Sequence, residues 1–188
     1  MAGAAIVFPD ETGLMMAPLL RTTLAPRGRT PRLEQRASHR DRVSVAAALW
    51  RAPGPSGLVR LAYRTFPDRF VDNQRYAEFL DDVLRCRLRR ARVIVVHDRG
   101  NMHRGDPVEQ LLADVDRLLG FEPLPPYAPE LDPVEELWDW LKYDELPNFA
   151  PRDVAHLDRV INRKLYALHW DQPRLRTFFA NSPLFSQA

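Results

Sequence analysis

The sequence predicts an α/β fold in which a mixed five-stranded sheet is flanked by helices, and three patterns support that prediction. Two β-compatible segments, 43–50 and 58–66, flank the turn-forming cluster RAPGPSG, which predicts an antiparallel hairpin. From Asp72 onward, apolar residues recur at helical spacing. The apolar run VIVV at 93–96 then predicts a strand that is covered on both faces.

Nine elements are expected, in this order: strands at 4–8, 43–50 and 58–66, a helix at 72–90, a strand at 93–96, a helix at 106–120, a strand at 121–124, and helices at 132–141 and 152–168. Asp106 and Asp132 are the expected N-caps, because each precedes a proline and has a glutamate three residues later. Residues 1–170 are predicted to form one domain and residues 171–188 a C-terminal tail. This element order is that of a ribonuclease H-like fold.

Length and composition exclude several classes of protein. The chain has 188 residues, of which 45% are hydrophobic and 28% charged, as in a folded domain with a substantial core. No apolar run approaches the ~20 residues that cross a bilayer, and the first residues lack a secretory signal, so a cytoplasmic protein is expected. Cys86 is the only cysteine, which excludes an internal disulfide and argues against a cysteine-based zinc site.

Basic residues concentrate in one stretch near the amino terminus, opposed there only by Glu34 and Asp41. The guanidinium group suits phosphate oxygens, so this stretch is a candidate nucleic-acid contact. A solvated basic loop explains the same pattern equally well. The arginines of the stretch are Arg21, Arg27, Arg29, Arg32, Arg36, Arg40 and Arg42.

Two acids follow predicted strands directly. Asp10 comes at the end of the first strand, and Asp98 follows the most apolar one. Ligands of α/β sheets bind beyond the carboxyl ends of strands, so both carboxylates are expected at one place if the two strands are neighbours. Because two like charges repel unless a cation lies between them, a divalent ion bound by oxygen ligands is the natural partner, with Mg²⁺ or Mn²⁺ fitting best.

A third acid, Glu135, has a competing structural role. In the tetrapeptide DPVE at 132–135, the glutamate occupies the position that reaches back to the N-cap backbone. The same tetrapeptide occurs at 106–109, so on its own it indicates only the start of a helix. The two copies differ in context, because only the second follows the stiff segment PPYAP at 125–129.

Three blocks of the sequence resemble one known family. The segment LPPYAPELDPVEELWDWLK at 124–142 is similar to the signature that delivers the third catalytic acid in mariner-like DDE transposases, in their bacterial insertion-sequence branch. VIVVHDRGNMHRG at 93–105 resembles the strand that ends in that family's second catalytic aspartate, with a histidine five residues on. PDETGLMMAPLLRTTLAPRGRTP at 9–31 resembles its first-aspartate region.

The resemblance implies a function and a site. It makes Asp10, Asp98 and Glu135 the catalytic and metal-binding triad, with Glu136 as the alternative if the register shifts by one. It implies cleavage and transfer of DNA strands by two-metal phosphoryl transfer with Mg²⁺ or Mn²⁺. The DNA contacts expected on this basis are Arg21, Arg27, Arg29, Arg32, His103 and Arg104.

The resemblance also implies partners: transposon-end and target DNA, and a second copy of the chain in a homodimer. The family's N-terminal helix-turn-helix region has no counterpart before the first predicted strand, so a separately encoded helix-turn-helix polypeptide is an expected partner. Such a protein would be associated with the bacterial nucleoid. Glu11 is expected at the surface or supporting a ligand, and Tyr127 and Trp138 are expected to pack rather than to stack on DNA.

Departures from the family keep other functions open. Arg99 replaces the usual asparagine after the second aspartate, Asp132 replaces an asparagine, and Pro9 is expected just past the last pair of a central strand. One alternative is a non-catalytic, truncated transposase remnant that folds, dimerises or binds DNA. Another is a hydrolase in which two carboxylates act as acid and base, as in glycosidases.

Overall fold

A five-stranded mixed sheet forms the centre of the molecule. A computed structural model describes residues 3–33, 41–52, 56–100, 103, 105–116 and 118–185. The strands run in the order β3-β2-β1-β4-β5, with β1 to β3 antiparallel and with β4 and β5 parallel to β1, which confirms the predicted mixed sheet. Their bounds are β1 Ala5–Met15, β2 Arg42–Arg51, β3 Val59–Pro67, β4 Val93–His97 and β5 Leu118–Pro123.

Helices cover both faces of the sheet. One apolar cluster joins the sheet to α3, α4 and α5, and a second joins the opposite face to α1 and α2. No helix of the described residues is long and apolar enough to span a membrane. The helices are α1 Asn73–Asp81, continued by a π-helical turn Asp82–Arg87; α2 Asp106–Ala113; α3 Pro133–Asp139, continued by a π-helical turn Trp140–Glu145; α4 Val154–Trp170; and α5 Gln172–Asn181.

Strand β2 shows how the sequence sets these layers. Successive side chains of a strand point to opposite faces. Accordingly, Ala47 and Leu49 pack in the cluster with α3 to α5, whereas Ala46 and Ala48 pack in the cluster with α1 and α2. All four residues are fully buried, so the alanine-rich run belongs to a strand covered on both sides.

Strand β1 is longer than the sequence predicted. It pairs with β4 only at Ala5, Ile6 and Val7, but it continues against β2 as far as Met15, so the predicted end at residue 8 was wrong. Pro9, which has no N–H to donate, therefore lies beyond the last pair with β4. From Phe8 onward, β1 no longer pairs with β4.

The helix that starts at the first DPVE is shorter than predicted. It ends at Ala113, and Leu118, which the sequence placed in the same helix, pairs with Val93 as part of β5. Gly105 rather than Asp106 occupies the N-cap position, which corrects the predicted cap. Gly105 has a φ of 103°, a conformation that favours glycine.

The segment predicted as a C-terminal tail holds helix α5. Its apolar residues Leu175, Phe178 and Phe179 are buried in the cluster beneath α3 and α4. Asp171 caps this helix by accepting a hydrogen bond from the backbone N–H of Arg174 at 3.0 Å. Residues 172–181 are thus part of the folded core.

Candidate metal centre

The candidate site lies where β1 and β4 stop pairing. The last pair is Val7 with Val95, and Asp10 and Asp98 each follow three residues later on their own strand. Asp98 thus follows the carboxyl end of β4, and Asp10 lies beside it within β1, beyond the part of β1 that pairs with β4. Ligands of α/β sheets bind beyond the carboxyl ends of strands such as β4. Asp10 is 7% exposed, whereas Asp98 is open to solvent.

His103 bridges the two strands. Its Nε2 lies 2.9 Å from Glu11 Oε2, and its Nδ1 contacts Asp98 Oδ1. The ring is 1% exposed. Burial opposes the charge on the ring, but hydrogen bonds to Asp98 and Glu11 outweigh it and raise the pKa of His103 to about 10. The same hydrogen bond lowers the pKa of Asp98, so the structure favours a charged imidazolium between two carboxylates.

Trp138 of helix α3 holds Asp10 by a hydrogen bond. The indole N–H of Trp138 donates to Asp10 Oδ2 at 2.6 Å, and both side chains are buried. Burial raises the pKa of Asp10 well above its usual range, and Asp132 and Glu11 raise it further by repulsion. Trp138 was expected only to pack, so its contact with an acid is a function that the sequence analysis missed.

The start of α3 separates the roles of its two acids. Asp132 is the predicted N-cap: it is 3% exposed, and its Oδ1 accepts the backbone N–H of Val134 at 2.9 Å. The backbone N–H of Asp132 donates to the Pro129 carbonyl at 2.9 Å, so it is not available for a capping bond from Glu135. The exposed carboxylate of Glu135 makes no hydrogen bond to another described residue. Partial burial raises the pKa of the Glu135 carboxyl group.

The first DPVE copy provides an internal comparison. Asp106 and Glu109 are exposed on a helix that Gly105 caps. Asp132, by contrast, is buried and lies within electrostatic reach of both Asp98 and Glu135. The same four residues thus start a plain surface helix at one position and supply an acidic cluster at the other.

The carboxylates keep oxygens that a cation can use. Asp10 Oδ1 and Asp98 Oδ2 make no hydrogen bond to a described residue, because Trp138 and His103 engage the other oxygen of each aspartate. The buried Tyr76 hydroxyl also has no hydrogen-bond partner among the described residues, and it lies within electrostatic reach of Glu11, Asp10 and Asp98. A cluster of open carboxylate oxygens is the donor set of a hard divalent cation. The residues present therefore fit Mg²⁺ or Mn²⁺.

The sequence also matches a known family over most of its length. The sequence matches the family of DDE superfamily endonucleases over residues 5–158, a range that holds Asp10, Asp98 and Glu135. The chain belongs to the DDE superfamily endonucleases. No curated protein matches the sequence significantly.

Solved structures show the fold of this DDE endonuclease. It is similar to the Mos1 transposase paired-end complex with a left transposon end, with a TM-score of 0.66 and 18% identity over 96% of this chain and 53% of that chain. The catalytic domain of Mos1 mariner transposase matches with a TM-score of 0.56 and 17% identity over 96% of this chain and 78% of that one. These likenesses confirm the ribonuclease H-like fold. The chain spans about half the length of the paired-end Mos1 chain.

The predicted site residues of the DDE endonuclease differ in how close they lie to one another. Donor atoms lie within 4.8 Å of one another in the groups Asp10, Glu11, His103 and His97, Asp98, His103. Asp10, Asp98 and Glu135 do not form such a group of three among the described residues. Glu135 is nevertheless within electrostatic reach of both aspartates, and it lines a cleft of about 370 Å³ together with Asp98.

The predicted DNA contacts have different surroundings. Arg21 is held beside α3's π-helical turn, with its guanidinium 4.9 Å from the Tyr143 ring. Arg27, Arg29 and Arg32 are exposed on the segment that follows. His103 is buried between two carboxylates, a position that suits holding those acids better than touching a phosphate. Arg36, Arg40 and Arg104 lie outside the described residues.

The metal-free domain is expected to lose stability as pH rises from about 4 to 10. Burial raises the pKa of Asp132 in the folded state to about 7. The folded state therefore gains stability from protonated Asp132 at a pH below the unfolded-state pKa, and it loses this stability as the pH rises through 7. The raised pKa of His103 continues the loss up to about 10. Asp132→Asn keeps an N-cap side chain and removes one titration, so it should melt higher than wild type at pH 8 in EDTA.

Thermal melts at pH 5 and pH 8 check this expectation. The Asp132→Asn gain should be larger at pH 8 than at pH 5, because at pH 5 Asp132 is still protonated in the folded state. About 1 kcal/mol corresponds to roughly 2–4 °C in a domain of this size, so the difference is measurable. An equal loss of melting temperature at both pH values would show that Asp132 is ionised throughout and acts only as a cap.

Proposed function

We propose that this DDE endonuclease domain is the catalytic domain of a transposase, which cuts and transfers DNA strands with divalent metal ions. The observation that carries the proposal is the position of Asp10 and Asp98, each three residues past the last pair of β1 and β4. Glu135 supports it, because this exposed residue lines a cleft together with Asp98 and is not used as a cap. We therefore keep Asp10, Asp98 and Glu135 as the proposed metal ligands.

The side chains around the ligands have separate tasks in this proposal. Asp10, Asp98 and Glu135 would hold Mg²⁺ or Mn²⁺, which when bound activates the attacking oxygen and stabilises the leaving oxygen of the phosphodiester. Trp138 donates to Oδ2 of Asp10 and leaves Oδ1 without a hydrogen bond to a described residue. His103 contacts one oxygen each of Asp98 and Glu11, and its positive charge reduces the repulsion among the acids before metal binds.

DNA is the proposed substrate. The Mos1 relatives were solved as paired-end complexes and as a strand transfer complex. In this chain, the exposed arginines at 27, 29 and 32 can contact backbone phosphates without reading bases. Strand transfer joins two DNA ends, so the proposal includes a homodimer, as the resemblance to mariner-like transposases implies. A helix-turn-helix polypeptide that reads the ends stays a prediction.

Nicking of supercoiled plasmid DNA by the purified chain tests the proposal. We expect nicked product with Mg²⁺ or Mn²⁺ and none in EDTA, with Mn²⁺ binding measured separately by isothermal titration calorimetry. Nicking that persists in EDTA would contradict the metal mechanism. A folded chain that binds no Mn²⁺ and cuts no DNA would instead support the truncated remnant.

A further inference from the structure

A second site lies at the opposite edge of the sheet. The amino ends of β1 and β4 border a groove of about 780 Å³, here named the rear groove. Trp50, Leu61 and Leu88 form part of its apolar floor. Its lining includes five arginines, Arg60, Arg87, Arg89, Arg90 and Arg92.

The charge of the rear groove is not neutralised by the protein. No aspartate or glutamate lines it among the described residues. Arg87 is paired with Asp82 at 3.4 Å, but the other four arginines form no ion pair with a described residue. Like charges held together repel one another, so such a groove favours an anionic partner.

The loop that carries four of these arginines is fixed in place. Leu88 and Val93 are buried, and they flank Arg89, Arg90 and Arg92, which are exposed. The Ala91 N–H donates to the Leu88 carbonyl at 2.9 Å, and the Arg92 carbonyl accepts the Ala5 N–H at 2.8 Å. A fixed backbone loses little conformational freedom on binding, which favours a binding surface over a solvated loop.

The rear groove is separate from the carboxylate edge. Arg92 precedes β4 and Asp98 follows it, a distance of six residues along an extended strand, or about 20 Å at ~3.3 Å per residue. One DNA strand advances ~3.4 Å per nucleotide. A phosphate bound in the rear groove therefore lies about six nucleotides from a phosphate bound at Asp10 and Asp98, or it belongs to another duplex.

We propose that the rear groove binds the phosphate backbone of DNA at a segment other than the one that is cut. Guanidinium groups match phosphate oxygens in shape and charge, and the chain belongs to a superfamily of endonucleases, so a nucleic acid is the polyanion that fits. Phosphate contacts of this kind position DNA and carry no sequence preference. The proposal goes beyond the cleavage site and does not require that site to be active.

Binding of a fluorescently labelled 30-base-pair duplex in EDTA tests the rear groove. The variant combines Arg89→Gln, Arg90→Gln and Arg92→Gln, three exposed residues without ion pairs among the described residues. The matched control combines Arg159→Gln, Arg163→Gln and Arg176→Gln, which are exposed on α4 and α5. Fluorescence anisotropy over a series of KCl concentrations gives the affinity and its salt dependence for each protein.

We expect the groove variant to bind at least about tenfold more weakly at low salt. Its slope of log affinity against log salt should become shallower by about 0.9 for each phosphate that the protein no longer neutralises. The control should keep a slope close to that of wild type. Equal weakening in both variants would show that only the net charge matters, which would contradict a specific site in the rear groove. Unchanged binding in the groove variant would also overturn the proposal.

A membrane surface is the competing anionic partner. If vesicles containing phosphatidylserine bind wild type and lose that binding only in the groove variant, while DNA binding is unchanged, the occupant is a lipid surface and the proposal is wrong. Because every measurement is made without divalent metal, a failure of plasmid nicking leaves this test unaffected. Melting temperatures close to that of wild type confirm that both variants are folded.

Discussion

Replacing Asp98 or Glu135 with alanine is expected to abolish metal-dependent nicking of plasmid DNA. Each change removes a proposed ligand, so the loss should exceed the roughly 10–100-fold effect of changing a hydrogen-bond partner of a metal ligand. Glu135 is exposed and makes no hydrogen bond to a described residue, so its removal should leave folding nearly unchanged. Asp98→Ala also removes a partner of the buried His103 and should therefore lower the melting temperature as well. Mn²⁺ binding, measured by calorimetry, should weaken in parallel with activity.

The chain supplies matched controls for Glu135. Glu109 occupies the same place in the first DPVE copy and is exposed on α2, so Glu109→Ala should leave nicking and Mn²⁺ binding unchanged. Glu136 accepts a hydrogen bond from Asn181 at 2.9 Å, which ties it to α5 rather than to the cleft. Activity that survives both Asp98→Ala and Glu135→Ala would reject the site, and loss in Glu136→Ala alone would shift it by one residue.

Local patterns were sufficient to predict most of the fold. The VIVV run became β4, the RAPGPSG cluster separated β2 from β3, and the Asp132-Pro133 pair began α3 as predicted. These elements form where local preference and burial favour the same structure. The strands that carry Asp10 and Asp98 are neighbours, as the prediction required, but Asp10 lies within β1 and not at its end.

The errors arose where distant pairing overrode a local pattern. Leu118 continues the apolar spacing of α2, yet its backbone pairs with Val93, so the chain leaves the helix at Ala113 and forms β5. Similarly, β1 extends beyond Phe8 because β2 lies beside it as far as Met15. Neither partner can be identified from the spacing of residues within one segment.

Contacts that complete the candidate site are also long-range. Trp138 donates to Asp10 across 128 positions of the sequence, and His103 reaches Glu11 across 92. The rear groove likewise combines Arg60 with arginines of 87–92 from another segment. A tryptophan at helical spacing looks like any core residue, so only the packing of α3 against β1 reveals the hydrogen bond.

Trp138→Phe is expected both to destabilise the domain and to weaken Mn²⁺ binding. The change removes the donor to Asp10 Oδ2, and Asp10 is buried. Leaving a buried polar group without its hydrogen-bond partner costs roughly 1–3 kcal/mol. Trp140→Phe is the matched control, because its buried indole donates no hydrogen bond to a described residue and it loses the same ring volume.

The comparison with Trp140→Phe separates packing from positioning. Both variants should melt lower, but only Trp138→Phe should lose Mn²⁺ affinity, by roughly 10–100-fold as for other partners of metal ligands. The Trp138 hydrogen bond lowers the pKa of Asp10, so without it more protons must leave before metal binds. Mn²⁺ affinity should therefore rise more steeply with pH in Trp138→Phe than in wild type. Equal affinities and equal pH dependence in the two variants would restrict Trp138 to the packing role that its helical spacing predicts.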